Sequence, residues 1–322
     1  MTKTAYAHPN IAFIKYWGNR DDALRLPVNG SVSMNLAALR TKTSVTFRDD
    51  LKDGDVLTVN GQEVTGASLN RAAKFMDEVR RLSGEERFAE IVSENNFPMG
   101  AGIASSASAF AALALAGSAA AGLDLSERDC SRLARMGSGS ACRSVPGGFC
   151  EWLYGSGDAD SVSVSIAPAE HWDLTDLIAV ISGEHKKVGS SAGHGMAATS
   201  PYQSARVADA PARIEKCRTA ILNKDFAALA EVSERDCLLM HAVMMTSTPP
   251  LLYWEPASIA LVKGVKAWRE EGIPCFCTLD AGPNVHILCP SEAADEIRSR
   301  VERVPGVKDI LSSGPGGKAA LL

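Results

Sequence analysis

Between Asn95 and Ala109 the chain reads Asn-Asn-Phe-Pro-Met-Gly-Ala-Gly-Ile-Ala-Ser-Ser-Ala-Ser-Ala. This loop of small residues runs directly into an alanine-rich helical stretch, Ala107 to Leu123. Glycines let a backbone approach a ligand closely. The first turn of a helix leaves N–H groups unpaired at the positive end of the helix dipole. Ser105 and Ser106 add hydroxyl donors at the same place. The segment therefore suits a polyphosphate anion. Its spacing, Pro-x3-Gly-x2-Ser-Ser, differs from the Gly-x4-Gly-Lys-Ser/Thr P-loop. A helix cap with a close-packed small-residue face is the plainer alternative.

The elements around this segment set the fold class. Gly30 to Leu36 alternates small and apolar residues, as a strand does. Lys42–Phe47, Asp55–Val59 and Phe88–Ser93 read as further strands, and Val59-Asn60-Gly61-Gln62 as a hairpin with a type I′ turn. Leu69–Leu82 has helical periodicity. A second helix follows the alanine-rich one, capped by Ser126. Gly137–Gly148 reads as a loop, and strands are expected at 151–154, 161–166 and 177–181. Beyond them come long helices at 201–223, 226–245 and 257–271, strands at 275–280 and 285–288, a helix at 292–303 and a strand at 307–311. Without regular strand–helix–strand repeats, this order predicts an α+β protein. With 322 residues it suits one large or two ordinary domains, divided near residue 180 into parts 1–180 and 181–322.

Composition removes several function classes. The formal charge is −5 and no basic block occurs, so nucleic acid and anionic membranes lack an electrostatic footprint. The eight cysteines include no Cys-x2-Cys pair, which argues against zinc and for free buried thiols in a reducing compartment. No apolar signal segment opens the chain, and the alanine-rich run is a poor membrane anchor. A cytoplasmic enzyme is expected. The oligomeric state is open, with a homodimer as one arrangement.

Four short blocks carry chemistry. Asn10 to Asp21 ends an apolar strand at Lys15, a charge that either meets an anion in a cleft or snorkels to water. Gly137 to Ser144 sets small hydroxyl residues before Arg143, either a guanidinium suited to gripping a carboxylate or part of a plain turn. Thr278 to Asn284 puts Asp280 at a strand end before a Gly-Pro turn, either as a general base or as a cap of its own turn. Glu184 to Ser191 reads as a loop after a strand and joins Lys186 and Lys187 to Ser190 and Ser191, which suits phosphate binding or a solvated surface. Gly314 to Ala319 looks like half a P-loop but has the wrong spacing and reads as a turn.

In order, Asn-Ile-Ala-Phe-Ile-Lys-Tyr-Trp-Gly, Leu-Pro-Val-Asn-Gly-Ser-Val-Ser, Asn-Asn-Phe-Pro, Ala-Ser-Ser-Ala, Gly-Ser-Gly-Ser-Ala-Cys-Arg-Ser and Asp-Ala-Gly-Pro-Asn resemble the diphosphomevalonate and phosphomevalonate decarboxylases. The resemblance runs from about residue 5 to residue 290. It implies the two-domain fold of the GHMP kinase superfamily, with an N-terminal ATP-binding part and the active site in the cleft between domains. It also implies ATP and Mg²⁺ as cofactors and a small phosphorylated mevalonate as substrate. By match to the family motifs, Asp280, Lys15 and Arg143 are the candidate catalytic residues. Tyr16, Asn19, Ser138, Ser140, Lys187 and Ser190 are candidate substrate contacts. Pro98, Gly100, Gly102, Ala104, Ser105, Ser106 and Ser108 are candidate nucleotide contacts. The motifs assign no Mg²⁺ ligands.

Two departures bear on the substrate. Diphosphate-using members usually read Tyr-Trp-Gly-Lys, whereas this chain has Asn19 at the last position. Ala192 stands where a basic residue or threonine usually follows the serine pair. The expected activity is ATP-dependent decarboxylation of a 5-phosphorylated mevalonate in isoprenoid synthesis, with the monophosphate favoured. Diphosphomevalonate decarboxylase and a kinase that stops at phosphoryl transfer are the alternatives.

Overall fold

The computed structural model describes residues 1–97, 105–183 and 189–322, with Ser190 and Ser191 described by their backbone alone. Among the described residues there are three main sheets. The first has six strands, in the order Ala320–Leu321, Lys3–Ala7, Thr41–Arg48, Phe88–Asn95, Val56–Val59 and Gln62–Val64. In Thr41–Arg48 every second residue is buried, as period-two alternation demands when one sheet face is covered. The helix Ser105–Ala120 packs on that face. Its alanines at 107, 111, 112, 114 and 116 are buried and allow close approach to the sheet. Among the described residues no helix is long and apolar enough to cross a membrane.

The second sheet orders Ser163–Ala167, Phe149–Trp152, Ser31–Asn35 and Asn10–Ile14. The last three strands are buried along their whole length. One face meets the helices Gln203–Asn223 and Phe226–Met245 through Ile11, Phe13, Ile214, Cys217 and Leu229. The third sheet orders Phe276–Thr278, Val285–Pro290, Leu174–Val180 and Asp309–Ser313. Leu174, Ile178, Phe276 and Leu288 from this sheet join the same apolar core. The second and third sheets are therefore held together by one continuous core, which brings the ends of Asn10–Ile14 and Phe276–Thr278 face to face.

The expected α+β mixture of helices and sheets is the one observed. Local signals hold where they are strong. Asn60 and Gly61 both take positive φ, 49° and 76°, in the hairpin turn. The Ser126 side chain accepts from the Asp129 N–H at 3.1 Å and caps Glu127–Gly137. All eight cysteines are buried and unpaired.

Other segments differ from the sequence reading. Residues 4–16 form two strands broken at His8-Pro9 rather than one extended piece. The loop expected across 137–148 contains a 3₁₀ helix, Gly139–Ser144. The loop expected after residue 184 leads into a helix, Ser190–Met196. The Gly314–Lys318 stretch is a strap rather than a turn. Gly316 donates to the Asn35 carbonyl at 2.7 Å and accepts from the Gly148 N–H at 2.8 Å. A Cβ on Gly316 would stand 2.9 Å from the Ala37 nitrogen, so only glycine lets the strap lie this close.

Candidate active site

Lys15 and Asp280 meet where the second and third sheets converge. The Lys15 Nζ donates to Asp280 Oδ1 at 2.7 Å, with side-chain exposures of 1% and 27%. Burial pushes the Asp280 carboxyl up, but the Lys15 ammonium, with His286 and Arg143 further off, holds it below the usual carboxylate value. Asp280 is thus a weak base held ionised at neutral pH. The carboxylate faces the lysine, while the tight turn beyond it is closed by the Asp280 backbone carbonyl, which accepts from Gly282 at 2.7 Å. That geometry removes the reading of Asp280 as a side-chain cap of its own turn.

The Lys15 backbone is fixed from the C-terminal helices. Its N–H donates to Asp236 Oδ2 at 2.6 Å. Its carbonyl accepts from Arg206 at 2.6 Å and from Asn29 at 3.0 Å. Asp236 is paired in turn with Arg213 Nε at 2.8 Å. Sequence reasoning passed over these four residues. The available signal was Arg206 and Arg213, seven apart on one face of a helix whose Ala210 and Ile214 are buried.

Arg143 is buried against the strands Ser31–Asn35 and Asn10–Ile14 of the second sheet, close enough to Asp280 for the two charges to act on each other. Its NH1 donates to Ser31 Oγ at 2.6 Å, its Nε to Ser33 Oγ at 3.0 Å and its NH2 to Asn10 Oδ1 at 3.0 Å. All these acceptors are neutral, and among the described residues no carboxylate lies in ion-pair range. Burial pulls its pKa down. A desolvated guanidinium without a counterion is a site for an anionic ligand. Ser31 and Ser33 sit on one face of their strand by period-two alternation, with Val32 and Met34 on the other. The alternating hydroxyls of Gly30 to Asn35 were therefore a legible sign of a polar, buried sheet face.

The substrate candidates gather around Tyr16. Its hydroxyl donates to Asn19 Oδ1, and Asn19 Nδ2 donates to Asp22 Oδ1 at 2.8 Å. Burial pushes the Tyr16 phenol well above its ordinary value, so it stays a neutral donor. The ring stacks on His194 at 4.0 Å between centroids. A Cβ on Gly139 would stand 2.7 Å from the Tyr16 hydroxyl, so the 3₁₀ helix and the tyrosine touch only because that residue is glycine. Arg20 turns away, donating to the Tyr154 and Gly155 carbonyls at 3.1 and 2.7 Å.

The two glycine–serine segments also meet. Ser106 Oγ lies 3.2 Å from Ser138 Oγ, at the first turn of Ser105–Ala120. Ser105 begins that helix. Ser108 is buried, with its hydroxyl 2.6 Å from Thr41 Oγ1, so it ties the turn to the sheet behind. Ser140 is partly exposed, and its carbonyl accepts from Asn10 at 3.2 Å. Pro98, Gly100, Gly102, Ala104 and Lys187 lie outside the described residues, as does the Ser190 side chain. Among the described residues no group of three or more His, Cys, Asp or Glu side chains is placed to hold a metal.

Comparison with known proteins decides the family. A profile described as the diphosphomevalonate decarboxylase-like N-terminal domain matches residues 7–163, and one described as the mevalonate 5-diphosphate decarboxylase C-terminal domain matches residues 176–314. The chain belongs to the diphosphomevalonate decarboxylase family. The phosphomevalonate decarboxylase of Haloferax volcanii is 36% identical over 100% of this chain and 98% of its own length. The diphosphomevalonate decarboxylase of Aspergillus fumigatus is 38% identical over 97% of this chain and 82% of its own length. A solved structure described as MDDEF in complex with MVAPP, AMPPCP and magnesium aligns with TM-score 0.94 and 36% identity, covering 100% of this chain and 99% of that one.

His194 is a residue the motifs did not single out. Its Nδ1 accepts from the Gly18 N–H at 2.9 Å, so the proton sits on Nε2 and the ring is neutral. Burial, then the charges of Arg25, Arg206 and Arg143, pull its pKa down to about 3. Burial and Lys15 pull His241 down to about 4. Both are lowered from an ordinary 6.5, so between that value and the lowered ones the unfolded chain binds protons the folded chain refuses. Stability should fall as pH drops from 7 to 5, by at most about 1.4 kcal/mol per pH unit for each histidine. The Asp280 contribution is lost only further down, below its ordinary carboxylate value. Denaturant midpoints at pH 7 and 5 check this, and a midpoint unchanged at pH 5 would contradict it.

Proposed function

We propose that this decarboxylase acts on mevalonate 5-phosphate, giving isopentenyl phosphate, CO2, ADP and phosphate. Its membership of the family supplies the reaction class, an ATP-dependent decarboxylation of a phosphorylated mevalonate. The choice of monophosphate rests on Asn19. Diphosphate-using members usually carry lysine there, and here a neutral amide has its oxygen taken by Tyr16 and its nitrogen by Asp22. A neutral donor offsets none of the added charge of a second phosphate. Arg20, the nearest replacement in sequence, points to the Tyr154–Gly155 backbone. The Haloferax relative, named a phosphomevalonate decarboxylase, supports the same reading.

The residues present fit the expected cofactors. The first-turn N–H groups of the helix beginning at Ser105, with Ser106 beside Ser138, suit nucleotide phosphates. Mg²⁺ commonly keeps several waters and binds through phosphates and one or two carboxylates, so it needs no all-protein cage. AMPPCP and magnesium in the matching structure support ATP and Mg²⁺ as the pair used here. When bound, ATP supplies the phosphoryl group that turns the tertiary 3-oxygen into a leaving group.

The chain's own groups then divide the work. Asp280 accepts a hydrogen bond from the 3-hydroxyl and orients its oxygen. Because Lys15 keeps Asp280 a weak base, proton uptake belongs late, as the oxygen loses its electron density. Lys15 offsets negative charge gathering at the reacting oxygens. Arg143 holds the substrate carboxylate, so that loss of CO2 and departure of phosphate share one geometry.

The test is kcat/KM on mevalonate 5-phosphate and 5-diphosphate, in wild type and in Asn19→Lys. The wild type should favour the monophosphate, and Asn19→Lys should move the ratio toward the diphosphate. A charge-assisted contact is worth about 1.5–3 kcal/mol, so the shift should be roughly tenfold or more. Wild-type preference for the diphosphate would end the monophosphate reading. ADP released without CO2 would replace decarboxylation with simple phosphoryl transfer.

A further inference from the structure

Arg25 occupies the turn of a small hairpin whose strands are Asn19–Asp21 and Leu26–Pro27. The turn is locked on both sides. Asp21 Oδ1 accepts from the Leu24 N–H at 2.8 Å, and the buried Arg135 donates to the Leu24 carbonyl at 3.0 Å. Arg25 itself has φ 49°, a left-handed conformation that glycine or asparagine adopts more readily. An arginine held at such a position points to a use for its side chain.

That side chain reaches the substrate candidates. Arg25 Nε donates to the Met136 carbonyl at 2.9 Å. Arg71 donates to the next carbonyl, Gly137, from Nε at 3.0 Å and NH2 at 2.8 Å. These carbonyls lie at the end of Glu127–Gly137, immediately before Ser138 and two to three residues before Gly139, which abuts the Tyr16 hydroxyl. Among the described residues neither arginine has a carboxylate in ion-pair range. The two terminal nitrogens of Arg25 make no hydrogen bond there. Burial, then the charge of Arg25, pull the Arg71 guanidinium down to about 10. Two guanidinia beside each other without an acid between them call for an anion.

We propose that Arg25, beside Arg71, receives the 5-phosphate of the substrate. This rests on the reading of a phosphorylated mevalonate as substrate. Two guanidinia and the neutral Tyr16 hydroxyl match a single phosphate dianion. Capping of the helix end explains one bond from Arg25, but neither its left-handed backbone nor its unshared nitrogens.

The test uses Arg25→Gln, which keeps a donor for the Met136 carbonyl and loses the charge. Arg25→Gly, which relaxes the left-handed turn, is the second variant if the first is poorly folded. Calorimetric Kd values for mevalonate 5-phosphate and 5-diphosphate are measured with kcat, KM and melting temperature. Kd and KM for whichever phosphorylated substrate the wild type uses should rise about 10- to 100-fold. The value of kcat should change much less, and the melting temperature should hold. Unchanged Kd in a folded variant would overturn the proposal and leave Arg25 a helix-end cap. A fall in kcat with Kd unchanged would overturn it equally. Wild-type preference for the diphosphate bears on the monophosphate reading alone, since both ligands carry the 5-phosphate that Arg25 is proposed to hold.

Discussion

Asp280→Asn should lower kcat by about 10²- to 10⁴-fold while changing substrate affinity much less. The substitution keeps the shape of the side chain and removes its charge. Its effect falls on the step in which the 3-hydroxyl loses its proton. A second consequence follows from the 2.7 Å pair with Lys15, an ammonium that is 1% exposed. Without its counterion that ammonium is left buried and uncompensated. The variant therefore disturbs both members of the pair. Melting temperature separates this from unfolding, and single-turnover measurement of ADP and CO2 locates the blocked step. Turnover near the wild-type rate would mean that Asp280 serves only as the partner of Lys15.

Arg143→Lys should cost about 10²- to 10³-fold in turnover, despite preserving the charge. The guanidinium spans Ser31, Ser33 and Asn10 with three different nitrogens. A lysine ends in one point charge and cannot reach all three acceptors while presenting a planar edge to a carboxylate. Some buried acceptors would be left unpaired, which destabilises the sheet face as well. If Arg143 holds the substrate carboxylate, KM should rise and kcat should fall together. Kinetics unchanged in a folded Arg143→Lys variant would show that the arginine serves the sheet and not the substrate.

These two residues show how differently the parts of the site were legible. Asp280 and Lys15 stand at the ends of apolar strands, where a charge is conspicuous, yet they are 265 positions apart and belong to different sheets. Their pairing depends on the core that joins Phe13 and Ile11 to Phe276 and Leu288. Asp236, Arg206 and Arg213 were hidden because charged residues on long helices ordinarily face water. Only the packing of Gln203–Asn223 and Phe226–Met245 against the second sheet turns them inward to the Lys15 backbone. His194 and the helix Ser190–Met196 were read as loop because glycines and serines give no helical periodicity. The segment is helical where Gly193 and His194 dock on Trp17 and Tyr16.

By itself the sequence determined most of the strand and helix order, the α+β class, the Ser126 cap and the Asn60-Gly61 turn. Each depends on neighbours within a few residues, through side-chain period, cap chemistry and permitted φ. It also determined which residue types were available for anion binding and proton handling. The tertiary structure alone decided which charges are buried and paired. It gave Asp280 a lysine, left Arg143 with neutral partners, turned Arg20 outward and set Arg25 beside Arg71. The physical reason is that charge state and desolvation depend on everything within several ångströms in space, and chain position carries almost none of that information.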